Sequence, residues 1–202
     1  MATENPTTPE TRIVAIGDEL VAGAGDARAL GWLDRVLART PFEADATTFA
    51  LAAPGETTTV LADRWAGEAA RRFAANTDNR LVIGLGWADL AAGISYARSR
   101  MNLARILDNA YDQGIKCFVV GPPPQPRDAT GVIADYSRAY GEVASRRATP
   151  YVDTYTPLQS NEQWHADFAL NSQRWPGQTG YGLMAWLVLH SGWYEWLSLP
   201  TP

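Results

Sequence analysis

Short apolar runs alternate with longer amphipathic segments along nearly the whole chain, and this alternation constrains the fold more than any other feature. The short runs have the length and branched residues of buried strands, and they lie at Arg12–Ile16, Ala46–Ala50, Leu81–Leu85, Cys117–Val120 and Tyr151–Val152. The longer segments have helical spacing and lie roughly at Ala29–Arg39, Thr57–Ala75, Asp89–Gln113, Gly131–Arg147 and Gly180–Leu197. The alternation predicts a parallel sheet of about five strands with helices on both faces, a three-layer α/β/α sandwich.

Composition limits the classes of protein to which the chain can belong. Its 202 residues are 46% hydrophobic, which predicts one globular domain over residues 11–202, preceded by a polar, disordered tail at residues 1–10. A net charge of −5 gives no basic surface for nucleic acid, and no apolar run is long enough to span a membrane. The sequence shows no secretory leader pattern, so we expect a cytoplasmic protein. We expect no cofactor, and we interpret the single cysteine, Cys117, as a core residue.

The first predicted strand runs into a turn in the stretch IVAIGDELVAG, which extends from Ile13 to Gly23. In parallel α/β sheets, the loops that follow the carboxyl ends of the strands collect ligands and chemistry. Glu19 lies two residues after Gly17, at the start of such a loop. The pattern therefore predicts that Glu19 belongs to a functional site.

The tryptophans near the C-terminus follow helical spacing. Trp186, Trp193 and Trp196 are seven and three residues apart, which predicts that they share one face of the last helix and pack into the core. The two histidines, His165 and His190, lie on predicted helices away from the strand ends. We interpret both histidines as structural or solvent-facing.

Six stretches occur in a familiar order: GDELVAGAGD, GWLDRV, PGETTTVLADRW, VIGLGWADL, VVGPPP and WPGQTGYGLMAWLV. Together they resemble the SGNH hydrolase family, also called GDSL esterases and lipases, from Arg12 to about Leu197. The resemblance implies a flavodoxin-like sheet of about five parallel strands with one active site at its carboxyl edge. It also implies a Ser-His-Asp arrangement for ester hydrolysis and three donors that stabilise the oxyanion.

The positions that the resemblance assigns to catalysis hold other residues in this chain. The serine position holds Glu19, and the asparagine position holds Ala88. The aspartate and histidine positions before Pro-Gly hold Ser172 and Trp175, whereas the donor glycine is kept as Gly55. The resemblance therefore implies a family member with a degenerate active site.

Three interpretations of Glu19 follow from the sequence. The residue is a product of drift, or its carboxylate occupies the anion-binding turn and accepts hydrogen bonds from backbone N–H groups near Leu20 or Gly55. It also lies close in sequence to Asp18, and with Asp89 the three carboxylates would suit a hard cation. We favour the second interpretation slightly over drift. The cation site ranks last, because Asp18 and Asp89 make structural hydrogen bonds in the family that the chain resembles.

Trp175 has two interpretations. It fills the space of the missing imidazole and packs on Pro176, or it lines a ligand cleft together with Trp87. We expect Asp18, Asp89 and Arg174 as further lining residues of such a cleft. Paired indoles suit sugars or flat apolar groups. We favour the filling role, because tryptophan usually serves packing.

Three functional hypotheses remain open from the sequence. The first is a pseudoenzyme that binds a small molecule or a protein at the former active-site edge. The second is an active esterase with non-standard catalytic residues, and the third is a structural or regulatory interaction protein. Hydrolysis of short aryl esters by the protein and by Glu19→Ala separates the first two hypotheses.

Overall fold

A computed structural model describes residues 9–126, 128, 130–171 and 174–201. It contains a five-stranded sheet in the order β2-β1-β3-β4-β5, in which every paired strand is parallel to its neighbour. The strands are Thr11–Gly17 (β1), Ala46–Ala52 (β2), Asp78–Gly84 (β3), Lys116–Val120 (β4) and Tyr151–Val152 (β5). The predicted architecture is confirmed, and each predicted strand overlaps an observed one.

The connecting segments form helices on both sides of the sheet. Their bounds are Leu33–Leu37 (α1), Thr58–Ala69 (α2), Ala88–Ala91 (α3), Tyr96–Asp112 (α4), Val132–Ser145 (α5), Tyr155–Leu158 (α6), Glu162–Leu170 (α7), Gln178–Val188 (α8) and Tyr194–Leu197 (α9). The predicted helix Asp89–Gln113 is divided into α3 and α4, because Gly93 adopts a left-handed φ of 67° that ends the first piece. Helix α1 is shorter than predicted because Gly31, at a φ of 56°, precedes it.

The last helix is interrupted, and this corrects the prediction for its tryptophans. A π-helical turn at Leu189–Trp193 separates α8 from α9, and Gly192 within it has a left-handed φ of 86°. The turn changes the direction in which the following residues face. Trp193 and Trp196 are therefore buried as predicted, but Trp186 is 57% exposed and stacks on His190.

Each face of the sheet supports its own apolar core. Along β1, Ile13 and Ala15 pack into the core on one face, whereas Val14 and Ile16 pack into the core on the other. This alternation follows from the two-residue period of a strand. It accounts for the continuous apolar runs in the strand sequences.

The predicted start of the globular domain, residue 11, lies close to Pro9, the first residue that the structure describes. Glu10 forms an ion pair with Arg12 and accepts a hydrogen bond from the Thr47 hydroxyl at 2.9 Å. The remaining part of the predicted tail, residues 1–8, lies outside the described residues. Within the described part of the chain, no helix is long and apolar enough to cross a membrane.

Glycines let the strand ends approach closely beneath the site. A side chain at Gly17 would overlap the carbonyl oxygen of Gly84, and one at Gly84 would overlap the Val21 side chain. Gly17 also has a φ of 153°, which few other residues adopt. These contacts fix the start of the loop that carries Glu19.

Candidate functional site

The loops after four neighbouring strands form one cleft at the carboxyl edge of the sheet. Its volume is about 510 Å³, and the lining residues are Glu19, Gly55, Trp87, Ala88, Leu90, Ala91, Ala92, Gln125, Arg174 and Trp175. Sequence reasoning did not single out Leu90, Ala91, Ala92 or Gln125. Gln125 follows the VVGPPP stretch at the end of β4, and this position is the signal that could have identified it.

The Glu19 carboxylate is bonded within the cleft. Its Oε2 accepts a hydrogen bond of 2.5 Å from the backbone N–H of Gly55. The N–H of Leu20 does not point to Glu19; it donates to Oδ1 of Asp18 at 3.0 Å. The glycine at position 55 permits this arrangement, because its φ of 70° lies in the left-handed region. One of the two expected backbone donors therefore binds Glu19.

Asp18 lies beneath the cleft and does not line it. Its side chain is buried, with a relative exposure of 2%. Burial, and secondarily the negative charge of Glu19, raise the pKa of Asp18 to about 7. A Cβ at Gly86 would overlap the Asp18 carboxylate, so a glycine at position 86 makes room for this buried acid.

Two indoles form one wall of the cleft. The rings of Trp87 and Trp175 stack with their centroids 5.9 Å apart and an angle of 15° between their planes. The Trp87 indole N–H donates to the Pro123 carbonyl at 2.7 Å, which fixes that ring. The Arg174 guanidinium carbon lies 5.1 Å from the centroid of the Trp175 ring, within the range of a cation–π contact. Trp175 therefore both packs against Trp87 and lines the cleft.

Side chains from α7 and the residue after it hold the segment that carries Trp175. The Asn171 amide donates to the Gly25 carbonyl at 2.8 Å and to the Trp175 carbonyl at 3.2 Å. Asp167 accepts from the N–H groups of Gly177 and Thr179, at the start of α8. A carboxylate there is favoured by the positive end of the helix dipole. Asp167 and Asn171 thus position the segment, although neither lines the cleft.

Asp89 has a structural role away from the cleft. It is buried, and its carboxylate accepts hydrogen bonds from the Thr58 N–H at 2.7 Å, the Thr58 hydroxyl at 2.6 Å, the Tyr140 hydroxyl at 3.1 Å and the Ser99 hydroxyl. These donors occupy both of its oxygens. Among the described residues, no group of His, Cys, Asp and Glu side chains is arranged to hold a metal ion. The cation-site interpretation of Asp18, Glu19 and Asp89 therefore has no support in the geometry.

The remaining predicted residues lie elsewhere. His165 bonds through Nε2 to the Gln159 carbonyl at 2.9 Å, and His190 bonds through Nδ1 to the Trp186 carbonyl at 2.7 Å. Both imidazoles are exposed, and neither lines the cleft. Cys117 is buried, and burial raises the pKa of its thiol to about 12. Ser172 lies outside the described residues.

The sequence matches the model of one protein family. Residues 15–183 match the GDSL-like lipase/acylhydrolase family. The chain belongs to this family. The match includes the loops that carry Glu19, Gly55, Ala88 and Trp175, and it confirms the resemblance to SGNH hydrolases.

Solved structures of the same fold agree with this assignment. The lipase/acylhydrolase from Enterococcus faecalis superposes with a TM-score of 0.73 at 22% identity, covering 95% of this chain and 98% of that one. Axe2, an acetylxylan esterase from Geobacillus stearothermophilus, gives a TM-score of 0.74 at 16% identity, covering 95% and 97%. The psychrotrophic esterase EstA from Pseudoalteromonas sp. gives 0.70 at 16% identity, covering 93% and 98%. No curated protein sequence matches the chain significantly.

Proposed function

We propose that this GDSL-family protein has lost ester hydrolysis and uses the cleft at the carboxyl edge of its sheet to bind a small molecule or a protein segment. One observation carries the proposal. At the position where the family resemblance places a nucleophilic serine, Glu19 presents a carboxylate that accepts the Gly55 N–H. That N–H is the one that the resemblance assigns to the oxyanion hole. A carboxylate bound there occupies the place of the substrate oxyanion.

The groups around the cleft lack the parts of a serine esterase. None of the described lining residues has a hydroxyl, thiol or imidazole group, so neither a serine-type nucleophile nor its base is present among them. Ala88 has no side-chain donor where the family has an asparagine. Loss of one oxyanion donor lowers kcat by about 100- to 1,000-fold, and loss of triad residues costs several further orders of magnitude. The missing oxyanion donor and the missing triad residues all serve the attack on the ester carbonyl. We therefore do not propose slow ester hydrolysis as the function of the protein.

The shape and lining of the cleft support binding. A volume of about 510 Å³ lies within the usual range for small-molecule sites. One wall consists of the stacked Trp87 and Trp175 rings, and Arg174 adds a cation beside them. Glu19 supplies the opposite charge. The cleft therefore offers an aromatic wall and two charges of opposite sign to its occupant.

Hydrolysis of short-chain aryl esters tests the loss of esterase chemistry. The rate is measured from acidic to alkaline pH for the unmodified protein, Glu19→Ala and Glu19→Ser, beside an active GDSL esterase. We expect all three proteins to match the buffer background, because Glu19→Ser restores a hydroxyl but neither a base nor the donor missing at Ala88. Hydrolysis above background that Glu19→Ala abolishes would overturn the proposal and establish Glu19 as a catalytic residue.

A further inference from the structure

One tryptophan of the chain is well exposed, and it lines a pocket beside α8. Trp186 has a relative exposure of 57%, whereas the other seven tryptophans are buried or half-buried. The pocket has a volume of about 440 Å³, and its lining residues are Arg39, Gly182, Trp186, Leu189, His190, Gly192, Tyr194, Glu195 and Thr201. None of them lines the Glu19 cleft. Since tryptophan is usually buried, an accessible indole in a pocket indicates a binding surface.

The helical neighbours of Trp186 cover one face of its ring and leave space beside the other. His190, one turn further along, stacks on the indole with the ring centroids 4.2 Å apart and 24° between the planes. Its Nδ1 donates to the Trp186 carbonyl at 2.7 Å, which holds the imidazole in this stack. Gly182 lies one turn before Trp186, in the direction toward which helical side chains lean. A Cβ at Gly182 would meet no atom within 4 Å, so this side of the indole is open.

The glycine at position 182 has no structural reason within α8. It lies in the interior of the helix, its φ is not in the left-handed region, and no neighbour approaches closely enough to exclude a side chain. Glycine inside a helix lowers stability relative to alanine. A residue that lowers stability without a gain in packing is typical of a functional site. Access to the indole of Trp186 accounts for this glycine.

The interruption of the last helix brings a carboxylate to the same pocket. In a continuous α-helix, nine residues span about two and a half turns, so positions 186 and 195 would lie on opposite faces. The π-helical turn at Leu189–Trp193 changes the direction of the chain, and Trp186 and Glu195 line one pocket. Turns of this kind are frequent at functional sites. Glu195 is exposed, and its Oε1 accepts a hydrogen bond from the Thr201 hydroxyl at 3.4 Å.

Arg39 supplies a guanidinium to the pocket. It is exposed, and its Nη1 donates to the Arg35 carbonyl at 3.1 Å. Neither Arg39 nor Glu195 forms an ion pair within the part of the chain that the structure describes. Their charges cancel, which favours a neutral occupant over an ion. Since a guanidinium only donates hydrogen bonds and a carboxylate only accepts them, an occupant with several hydroxyl groups can satisfy both.

We propose that this pocket binds a sugar in the form of a pyranose ring with equatorial hydroxyls, as in a β-glucoside or a β-xyloside. Both faces of such a ring consist of C–H groups, which are slightly positive and pack on the negative face of the Trp186 indole. The hydroxyls lie around the edge of the ring, where they donate to Glu195 and accept from Arg39. A planar aromatic ligand would also stack, but it would leave both charged groups without a partner.

The pocket is large enough for this ligand, and it is independent of the site described above. A volume of about 440 Å³ lies within the usual range for small-molecule sites. Because the pocket and the Glu19 cleft share no lining residue, the proposal does not depend on whether the cleft hydrolyses esters.

Nuclear magnetic resonance of the indole N–H groups tests this proposal. Each tryptophan gives one indole signal, and single Trp→Phe variants assign the signals of Trp186, Trp87 and Trp175. Cellobiose, a β-linked glucose dimer, should shift the Trp186 signal saturably, with a Kd on the order of 1 mM. Mannitol has the hydroxyls but no ring face, so it should bind about tenfold more weakly. No shift with cellobiose, equal binding of mannitol, or shifts at Trp87 and Trp175 in place of Trp186 would overturn the proposal.

Matched variants locate the binding at this pocket. Gly182→Leu should weaken cellobiose binding about tenfold because its side chain fills the space beside the indole, whereas Gly182→Ala should change it by less than about twofold. Trp186→Ala should abolish binding, and its control is Tyr111→Ala, which removes an 82% exposed ring outside the pocket. Glu195→Gln should weaken binding about threefold, since a charged acceptor forms the stronger bond. Thermal unfolding shows that each variant is folded. Unchanged binding in Gly182→Leu or in Trp186→Ala would refute the assignment.

Discussion

The buried carboxyl of Asp18 should control how the stability of the protein depends on pH. Its pKa is about 7 in the folded protein, owing to burial and then to the charge of Glu19, whereas an unfolded aspartate titrates near about 3.9. The folded state therefore binds the Asp18 proton more tightly than the unfolded state does. The stabilising effect of the proton is complete below the unfolded pKa and is lost as the pH rises through the folded one. Above about pH 7 no further loss is expected from this group.

The size of the effect follows from the two pKa values. A difference of about three units corresponds to about 4 kcal/mol in the free energy of unfolding, at about 1.4 kcal/mol per unit. Asp18→Asn removes this dependence, because the amide does not ionise in this range and still has an oxygen for the Leu20 N–H. The free energy of unfolding of Asp18→Asn, minus that of the unmodified protein, should therefore increase by about 4 kcal/mol between about pH 4 and pH 8.

Urea denaturation at several pH values measures this difference. The other carboxylates are common to both proteins, so their own pH dependence cancels in the comparison. Glu19→Gln is an informative companion variant, because removing the charge of Glu19 should lower the pKa of Asp18. The contribution of Asp18 to the free energy of unfolding should then stop changing at a lower pH. Parallel stability profiles for Asp18→Asn and the unmodified protein would refute the reasoning.

Two substitutions test the packing around the cleft. Trp175→Ala should lower the free energy of unfolding by about 1–3 kcal/mol, since it removes a half-buried ring stacked on Trp87. Urea denaturation measures this change. Trp175→Phe keeps an aromatic ring and should lower the free energy of unfolding by clearly less. Gly86→Ala should cost more than about 2 kcal/mol because its methyl group overlaps the Asp18 carboxylate. Its control is Gly182→Ala, which lies within α8 with no atom within 4 Å of the new Cβ and should stabilise the protein by about 0.5–1 kcal/mol. Equal thermal unfolding of the two alanine variants would contradict the assigned contact.

The strands and the sheet could be predicted from the sequence because their signals are local. A continuous apolar run such as Ile13 to Ile16 packs on both faces, and a run this short between turn residues is typical of a strand covered on both sides. Helix ends were harder to predict. Gly93 and Gly192 adopt left-handed conformations that divide predicted helices, and a single glycine in a helical pattern does not specify whether the helix continues. This is why the exposure of Trp186 was not predicted.

The motifs in the sequence indicated which loops meet at the cleft, but not how the polar groups pair. Position 19 could be placed on the first loop from its distance to Gly17. In the structure the Leu20 N–H donates to Asp18 and the Gly55 N–H donates to Glu19. The second pair lies 36 positions apart in the chain, and the sequence does not reveal that these two groups meet.

Covalent labelling with a fluorophosphonate tests the loss of esterase chemistry most directly. This probe reacts with an activated nucleophile and needs no knowledge of the natural ligand. We predict that the intact mass of the protein stays unchanged after prolonged incubation, while an active GDSL esterase treated in parallel gains one adduct. A stoichiometric adduct that peptide mapping assigns to the cleft, at Ser172 or any other residue, would contradict the account.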